Sequence, residues 1–502
     1  MRAAIPPLLK PPNRLAPTHS YPHGNPMTQE WKGTPMRKFA KILSGAAAIA
    51  VLVPSIALAQ DAPTLEGLAA TVEASTINSA FVFNTLLFLI GGFLVMWMAA
   101  GFAMLEAGFV RTKNVSMQCL KNITLYSVAG LMFWWIGYDL MYTGVDGGFI
   151  GSIGALTNPA GEEISFFGRL LGGYVYAPED AGTGYSSYSD WFFQMVFCAT
   201  TASIVSGTVA ERIKFWPFFI FVLLLTGLIY PIIGSWEWGG GFLNADKYIT
   251  MFGSEFSDFA GSTLVHSTGG WAALMGAIIL GARKGKYVDG KVNPIPGSNM
   301  TLATLGVFIL WLGWFGFNGA SQLAMGTIND ADSIAKVFVN TNMAAAAGVI
   351  AAVVYTQLRY GKIDLTLALN GALAGLVAIT AGPLDPSVPA ALLIGAIGSL
   401  LACLTVPLLD KLKIDDVVGA IPVHLVAGIF GTLVVCLTTP EITFMAQLMG
   451  VLAVAVFVSL VSAIIWFAMK LTIGIRVSEE DEYIGLDQTE IGVPAYPEFV
   501  NS

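Results

Sequence analysis

Two histidines, His266 and His424, stand inside long apolar runs, a setting where ionisable side chains are costly and commonly functional. Each lies eight residues after an aspartate, and the residues around them repeat. Asp258-Phe-Ala-Gly261-Ser-Thr-Leu-Val265-His266 runs on to Gly269-Gly270, and Asp416-Val-Val-Gly419-Ala-Ile-Pro-Val423-His424 runs on to Ala427-Gly428. The shared pattern is D-x-x-G-x-x-x-V-H-x-x-(G/A)-G. An imidazole kept neutral by desolvation has one donor and one acceptor nitrogen. Two of them can hydrogen-bond to each other, line a polar path and relay a proton. The competing reading is two unrelated helix-packing histidines. Their equivalent repeat positions weigh against it, as does the place of the other two, His19 and His23, in a proline-rich leader.

The elements that must hold these side chains are helices in a bilayer. Only 12 % of the 502 residues are charged and 55 % are hydrophobic, with a mean hydropathy of +0.69. Soluble domains carry about 25 % charge, so an ordinary soluble enzyme and a disordered scaffold are excluded. The net charge of −8 offers no basic field for nucleic acid. Between Asn78 and Lys470 there are eleven apolar spans, over 80–107, 117–142, 189–210, 216–236, 258–282, 299–321, 332–358, 364–382, 388–409, 417–438 and 441–470. The expected fold is therefore all-α: a polytopic membrane protein with eleven transmembrane helices.

Lys and Arg concentrate after the odd-numbered spans, at Arg111 and Lys113, Arg212 and Lys214, Arg283 to Lys291, Arg359 and Lys362, and Lys411 and Lys413. By the positive-inside rule the N-terminus lies outside and the C-terminus in the cytoplasm. Five helices separate the two histidine motifs, and an odd number reverses direction, so the halves form an inverted five-helix repeat. Spans 1 and 6 echo each other more faintly around Trp97 and Trp311. Eight helical residues rise about 12 Å, which carries both imidazoles from opposite faces toward the middle of a hydrocarbon layer of about 30 Å.

Residues 1–35 hold eight of the 24 prolines and are expected to be a disordered extension or a mis-assigned start. Residues 36–59 have the charged, apolar and Ala57-Leu58-Ala59 regions of a signal peptide; an uncleaved first helix is the alternative. Residues 60–77 would be an extracytoplasmic segment, 78–470 the membrane domain and 471–502 an acidic cytoplasmic tail. Cys119, Cys198, Cys403 and Cys436 lie in apolar runs without C-x-x-C spacing and read as small buried hydrophobes. No cofactor or metal is expected, and no nucleophile, metal cluster or phosphate loop supports an enzyme.

Four further motifs accompany the histidines: Gly313-Trp-Phe-Gly-Phe317-Asn318, Ala210-Glu211-Arg212-Ile213, Trp238-Gly-Gly-Gly241, and the tail's Gly485-Leu-Asp487 with Ala495-Tyr-Pro-Glu-Phe499. Over about residues 78–499 the chain resembles the ammonium transporter (Amt/Mep/Rh) family, bacterial Amt type. The resemblance implies a homotrimer with one pore per subunit, in the cell inner membrane, serving nitrogen metabolism. It implies an outer cation site of Trp238, Phe197 and Ser321, supported by Asp258. It also implies an aromatic gate of Phe193 or Phe197 with Phe317, and His266 and His424 as twin pore histidines.

Aromatic faces attract cations, and a serine oxygen accepts a hydrogen bond. The phenylalanines alone would read as packing; their combination with Trp238, Ser321 and the histidines carries the assignment. Asp258 stays open between a helix cap and a charge that favours an arriving cation, and Glu106 between a solvated helix end and part of a proton exit. The nineteen residues between Trp238 and Asp258 and the long loop 143–188 depart from the pattern and leave the vestibule's shape open. Pro422 is expected to bend span 10 just before His424.

The resemblance implies recruitment of ammonium, with methylammonium as an analogue, its deprotonation, and passage of ammonia past the histidines. The alternatives are an ammonium sensor with little flux and a Rh-like neutral-gas channel, against which Trp238 and Ser321 speak. It also implies block from the cytoplasmic side by a PII-type regulatory protein. The basic loops at Arg283–Lys291 and Lys411–Lys413 and the acidic Glu479–Glu482 would serve that partner, or would only fix topology.

Overall fold

The structure, a computed structural model, describes residues 64–151 and 184–499. The expected leader 1–35 and signal peptide 36–59 lie outside the described residues, as does most of the loop 143–188. Two compact units are distinguished, Met1–Ala70 and Thr71–Ser502. Of the first, residues 64–70 are described, with exposed side chains at the start of a helix.

In hydrocarbon a backbone must satisfy its own N–H and C=O groups, so long apolar segments fold as helices. Helices occupy every apolar span read from the sequence. They are α1 (Leu65–Phe109), α2 (Val115–Met132, prolonged through a π turn at Phe133–Gly137 to Tyr142), α3 (Ser187–Thr208) and α4 (Phe215–Leu224, prolonged through Leu225–Ile229 to Ser235). They continue with α5 (Ser262–Leu280), α6 (Met300–Gly319), α7 (Ile328–Tyr360), α8 (Leu365–Ile379), α9 (Val388–Lys411), α10 (Ile421–Leu437) and α11 (Phe444–Thr472).

Seven are long and apolar enough to cross a membrane: α1, α4, α5, α6, α7, α9 and α11. Helices α8 and α10 are apolar but shorter, and α2 and α3 are diluted by buried polar residues such as Lys121, Asn122 and Asp190. Among the described residues the only named strands form a two-residue hairpin, Tyr287–Val288 with Lys291–Val292.

Helix starts follow side-chain chemistry. Asn299 caps α6, Thr327 and Asp330 form a reciprocal box at α7, and Asp364, Ser387 and Thr443 cap α8, α9 and α11. Two boundaries differ from the sequence reading. Helix α1 begins at Leu65, fifteen residues before the apolar span expected from 80, because Leu65–Ser79 contains neither proline nor an internal run of breakers. Pro422 does not bend a running helix. It sits in the first turn of α10, where its missing N–H would have had no partner.

The loops after α1, α3, α5 and α9 meet at one end, through Arg111, Glu211, Arg283 and Asp415. This is the end where the sequence concentrates Lys and Arg. Small residues set the helix spacing inside. A Cβ on Gly395 of α9 would stand 2.1 Å from the Ala344 carbonyl oxygen of α7, and one on Gly348 would stand 2.2 Å from the Gly371 oxygen of α8. Backbones in such contact gain dispersion energy that no side chain could supply there. Gly395→Val should therefore force α7 and α9 apart and cost about 1–3 kcal/mol or more. A fall in melting temperature and membrane yield, absent in the outward-facing control Leu393→Ala, is the expected measurement.

Candidate functional site

The two histidine motifs fold alike. In the first, Asp258 accepts four backbone N–H groups: Oδ1 from Gly261 at 3.0 Å and Ser262 at 2.7 Å, Oδ2 from Thr263 at 2.7 Å and Leu264 at 2.8 Å. In the second, Asp416 accepts from Gly419 at 3.2 Å and Ile421 at 2.7 Å, and from the Thr208 hydroxyl at 3.0 Å. Gly261 and Gly419 enter these turns at φ of 104° and 80°, a conformation glycine adopts without strain. A π turn follows in each, Ser262–Ser267 and Ile421–Val426, and each holds its histidine.

The helices then cross at matching glycines. A Cβ on Gly270 would stand 2.8 Å from the Leu425 nitrogen, and one on Gly428 would stand 2.4 Å from the Ser262 oxygen. This crossing brings the imidazoles together. His266 Nδ1 and His424 Nδ1 are 3.1 Å apart, with ring centroids 5.1 Å apart. One Nδ1 must donate and the other accept, so the two rings adopt opposite tautomers and expose unlike Nε2 atoms. His266 Nε2 is buried without a hydrogen-bond partner. Trp314 stacks on His266 at 4.9 Å and is itself tied to Thr380 by its indole N–H at 2.8 Å.

Toward the other end, rings follow in contact: His266 to Phe317 at 5.3 Å, Phe317 to Phe197 at 4.0 Å, Phe197 to Phe193 at 4.8 Å. Of the two phenylalanines considered for a gate, Phe197 is the one stacked on Phe317. Phe193 stands further out and stacks on Phe88 at 5.3 Å.

Beyond the stacked pair opens a cavity of about 360 Å³ lined by Trp238, Phe197, Phe193 and Ser321. The Ser321 hydroxyl donates to the Phe317 carbonyl at 2.8 Å, which leaves its oxygen lone pairs free to accept. The Trp238 indole donates to the Asp258 carbonyl at 3.1 Å. Asp258 thus holds the start of α5 with its side chain and the indole with its backbone, and it does not itself line the cavity. Sequence reasoning missed the other wall, Tyr138, Tyr142, Tyr185, Asp190 and Gln194. Asp190 and Gln194 could have been found as a carboxylate and an amide one turn apart at the start of an apolar span.

On the other side of the histidines, a space of about 10 Å³, room for about one water, is lined by His424, Phe102, Glu106, Ser203 and Asn370. It adjoins a cavity of about 290 Å³ that shares Asn370, Val418 and Gly419 with it and is also lined by Asp416 and Asp410. Glu106 is not a solvated helix end. It is 1 % exposed, and its Oε2 accepts from Asn122 at 2.6 Å, Ser206 at 2.9 Å and Gln118. Its Oε1 has no hydrogen-bond partner. Buried Lys121 stands beside it, donating to the Ser206 carbonyl at 2.8 Å. Lys121 was legible as the one basic residue in span 2.

The sequence profile of the Ammonium Transporter Family matches residues 86–496. The chain belongs to this family. The ammonium transporter Amt2 of Archaeoglobus fulgidus is 39 % identical over 435 residues, 82 % of this chain and 88 % of that one. Amt1 of Haloferax mediterranei is 36 % identical over 434 residues, 83 % and 80 % of the two chains. Among solved structures, one titled Sensor Amt Protein superposes with a TM-score of 0.72 at 34 % identity, covering 84 % of this chain and all of that one. Candida albicans Mep2 gives 0.69 at 27 % identity, covering 84 % and 93 %. Membership places the chain among multi-pass membrane transporters rather than enzymes.

The basic end of this family member is a network of buried charges. Asp415 accepts from Arg283 three times, at 2.8 Å from its backbone N–H, 2.8 Å from Nε and 3.0 Å from a terminal nitrogen. Arg111 Nε lies 2.5 Å from Glu211, and Arg212 donates to the backbone oxygens of Thr208, Ala210, Gly281 and Asp415. The tail packs on the same surface: Arg476 reaches Glu482 at 2.7 Å, Lys284 pairs with Glu479, and Asp487 accepts the backbone N–H groups of Ser116 and Met117.

Burial alone would raise the Asp415 carboxyl; hydrogen bonds from Arg283 and the charges of Arg212 and Arg283 outweigh it and hold the group well below the usual carboxylate range. Its stabilisation is therefore complete above about pH 4 and is lost only in stronger acid, as pH falls through the lowered folded value. Asp415→Ala, which leaves the buried Arg283 guanidinium with Glu211 at 3.3 Å as its remaining acidic partner, should cost up to about 3–5 kcal/mol, read as a lower melting temperature in detergent at neutral pH.

Proposed function

We propose that the protein recruits ammonium at the cavity walled by Trp238, Phe197 and Ser321, removes a proton there, and conducts ammonia past the stacked Phe197–Phe317 pair and the twin histidines. The observation that carries this reading is the alignment of those parts in one file: cation-attracting cavity, apolar constriction, hydrogen-bonded imidazole pair. Moving an intact ammonium ion through the constriction would cost tens of kcal/mol by an unrelaxed Born estimate. Cation–π contacts return only about 2 kcal/mol. They select the ion at the mouth but do not carry it through, whereas neutral ammonia passes far more cheaply. The released proton goes to the imidazole pair or to outer water, and ammonia takes one up again on the far side.

The accompanying assignments rest on family membership and on loop charge. Eleven helices cross the inner membrane with the N-terminus outside and the C-terminus in the cytoplasm. Residues 36–59 act as a signal peptide, residues 1–35 are an extension or a mis-assigned start, and three copies assemble with one pore each. A PII-type protein docks where the basic loops and the acidic tail meet. A second reading, ammonium sensing with little flux, is raised by the likeness to the solved chain titled Sensor Amt Protein, and the relatives named ammonium transporter weigh against it. Methylammonium flux and current measured in the same proteoliposomes decide between them: flux well above empty vesicles supports transport, and its absence supports sensing.

Replacing His266 or His424 by Ala should change that flux or the charge moved with it. Because the rings are in hydrogen-bond contact, the double variant should depart from additivity by at least about 1 kcal/mol in transport free energy. Additive single effects would show that the rings act independently.

The docked tail leads to a further expectation. Deleting 478–502 removes the partners of Arg476, Lys284 and the α2 N-terminus, so uptake should fall at matched membrane abundance while insertion persists. Uptake assays with and without the PII-type partner check this; full uptake that is blocked normally would remove the tail from both roles.

A further inference from the structure

The outer cavity has a carboxylate of its own. Asp190 is 7 % exposed and is the one acidic side chain among the described residues that line that cavity. It stands in the first turn of α3, yet neither of its oxygens takes a backbone N–H. Oδ2 accepts the Tyr138 hydroxyl, and Oδ1 has only a long 3.4 Å contact with the Gln194 amide. Asp258 differs sharply, since four backbone N–H groups engage both its oxygens. A carboxylate offers about four acceptor positions, so Asp190 keeps capacity facing the cavity. A buried ionised carboxylate with only neutral partners lacks a counter-charge, and a cation would supply it.

The surroundings fit a small cation that carries N–H donors. Tyr138 and Tyr142 stand side by side, ring centroids 5.1 Å apart, as adjoining walls of the same cavity. The Tyr142 hydroxyl is buried and has no hydrogen-bond partner. Ring faces, a phenol oxygen and an open carboxylate oxygen together match ammonium and methylammonium. A neutral gas would gain nothing from the carboxylate.

We propose that Asp190, with Tyr138 and Tyr142, forms a second cation site in the outer cavity, which holds ammonium or methylammonium before it reaches Trp238, Phe197 and Ser321. The proposal rests on the transport reading above and assigns the cation-attracting charge to Asp190, leaving Asp258 to position α5 and the Trp238 indole.

The test is the concentration dependence of initial methylammonium uptake in proteoliposomes at matched protein abundance. Asp190→Asn keeps an acceptor for Tyr138 and removes the charge. Its half-saturating concentration should rise at least tenfold, a larger change than in the maximal rate. Asp190→Glu, which keeps the charge, should recover most of the loss. Tyr138→Phe, which keeps the carboxylate and the ring but removes a hydroxyl of the same site, should raise the half-saturating concentration by a smaller factor than Asp190→Asn. An unmoved half-saturation in Asp190→Asn would overturn the site, as would an Asp190→Glu protein no better than Asp190→Asn, since the charge would then not be what binds. Wild-type vesicles without uptake would strike the transport reading itself, whereas wild-type uptake with an unmoved Asp190→Asn protein would strike this site alone.

Discussion

The close crossing of α5 and α10 is the contact on which the rest depends. Gly270 lies against the backbone at Leu425, and Gly428 lies against the carbonyl of Ser262. Any side chain at either place would separate the helices by more than a hydrogen bond tolerates, and the 3.1 Å link between His266 and His424 would break. The two glycines occupy the same position in the repeat as each other, twelve residues after Asp258 and Asp416. One short pattern, used twice in opposite directions, thus caps each helix, turns it through a π turn and sets it at contact distance from its copy.

The crossing also sets what surrounds the two imidazoles. Around the imidazoles stand Trp314, Phe317 and Phe102, and beyond them the stacked Phe197. Such walls offer polarisable faces and two imidazole nitrogens but no fixed charge, which is unfavourable for an ion and tolerable for a neutral amine. Fixed charge is displaced to both ends: Asp190 in the outer cavity, Glu106 and Lys121 below His424.

The meeting of His266 and His424, the helical class and the inverted repeat were legible in the sequence because each depends on residue type at fixed spacing, and the backbone period converts spacing into position. Residues that depend on which helices become neighbours were less legible. Glu106 looked like a helix end because span 1 stops just after it; its burial follows from Gln118, Asn122 and Ser206 on other helices. Phe193 and Phe197 share a helical face, so spacing alone could not say which would stack on Phe317. Pro422 looked like a kink because apolar residues precede it; the Asp416 cap starts the helix later and makes the proline harmless. Asp190 carried only the signal of a polar residue at a span boundary, which usually means solvent.

The basic end joins the tail to the pore through adjacent residues. Glu482 of the tail takes Arg476 and the backbone N–H of Lys284, the neighbour of Arg283. Arg283 is fixed to Asp415 by three hydrogen bonds, and Asp416, the next residue, caps the helix that holds His424. Each link is short and at least partly buried, so a displacement of the tail that moves Arg283 also strains the cap of α10. Contiguity of this kind transmits force, but coupling between sites further requires an element with two stable arrangements. The start of α10 departs from regular helix geometry at that point: it has a glycine at positive φ, a π turn in place of α geometry, and a carboxylate whose partners, Thr208, Gly419 and Ile421, come from two separate segments. A shift there of a few tenths of an ångström would be felt first at the His424–His266 contact, because the π turn that the cap begins carries His424.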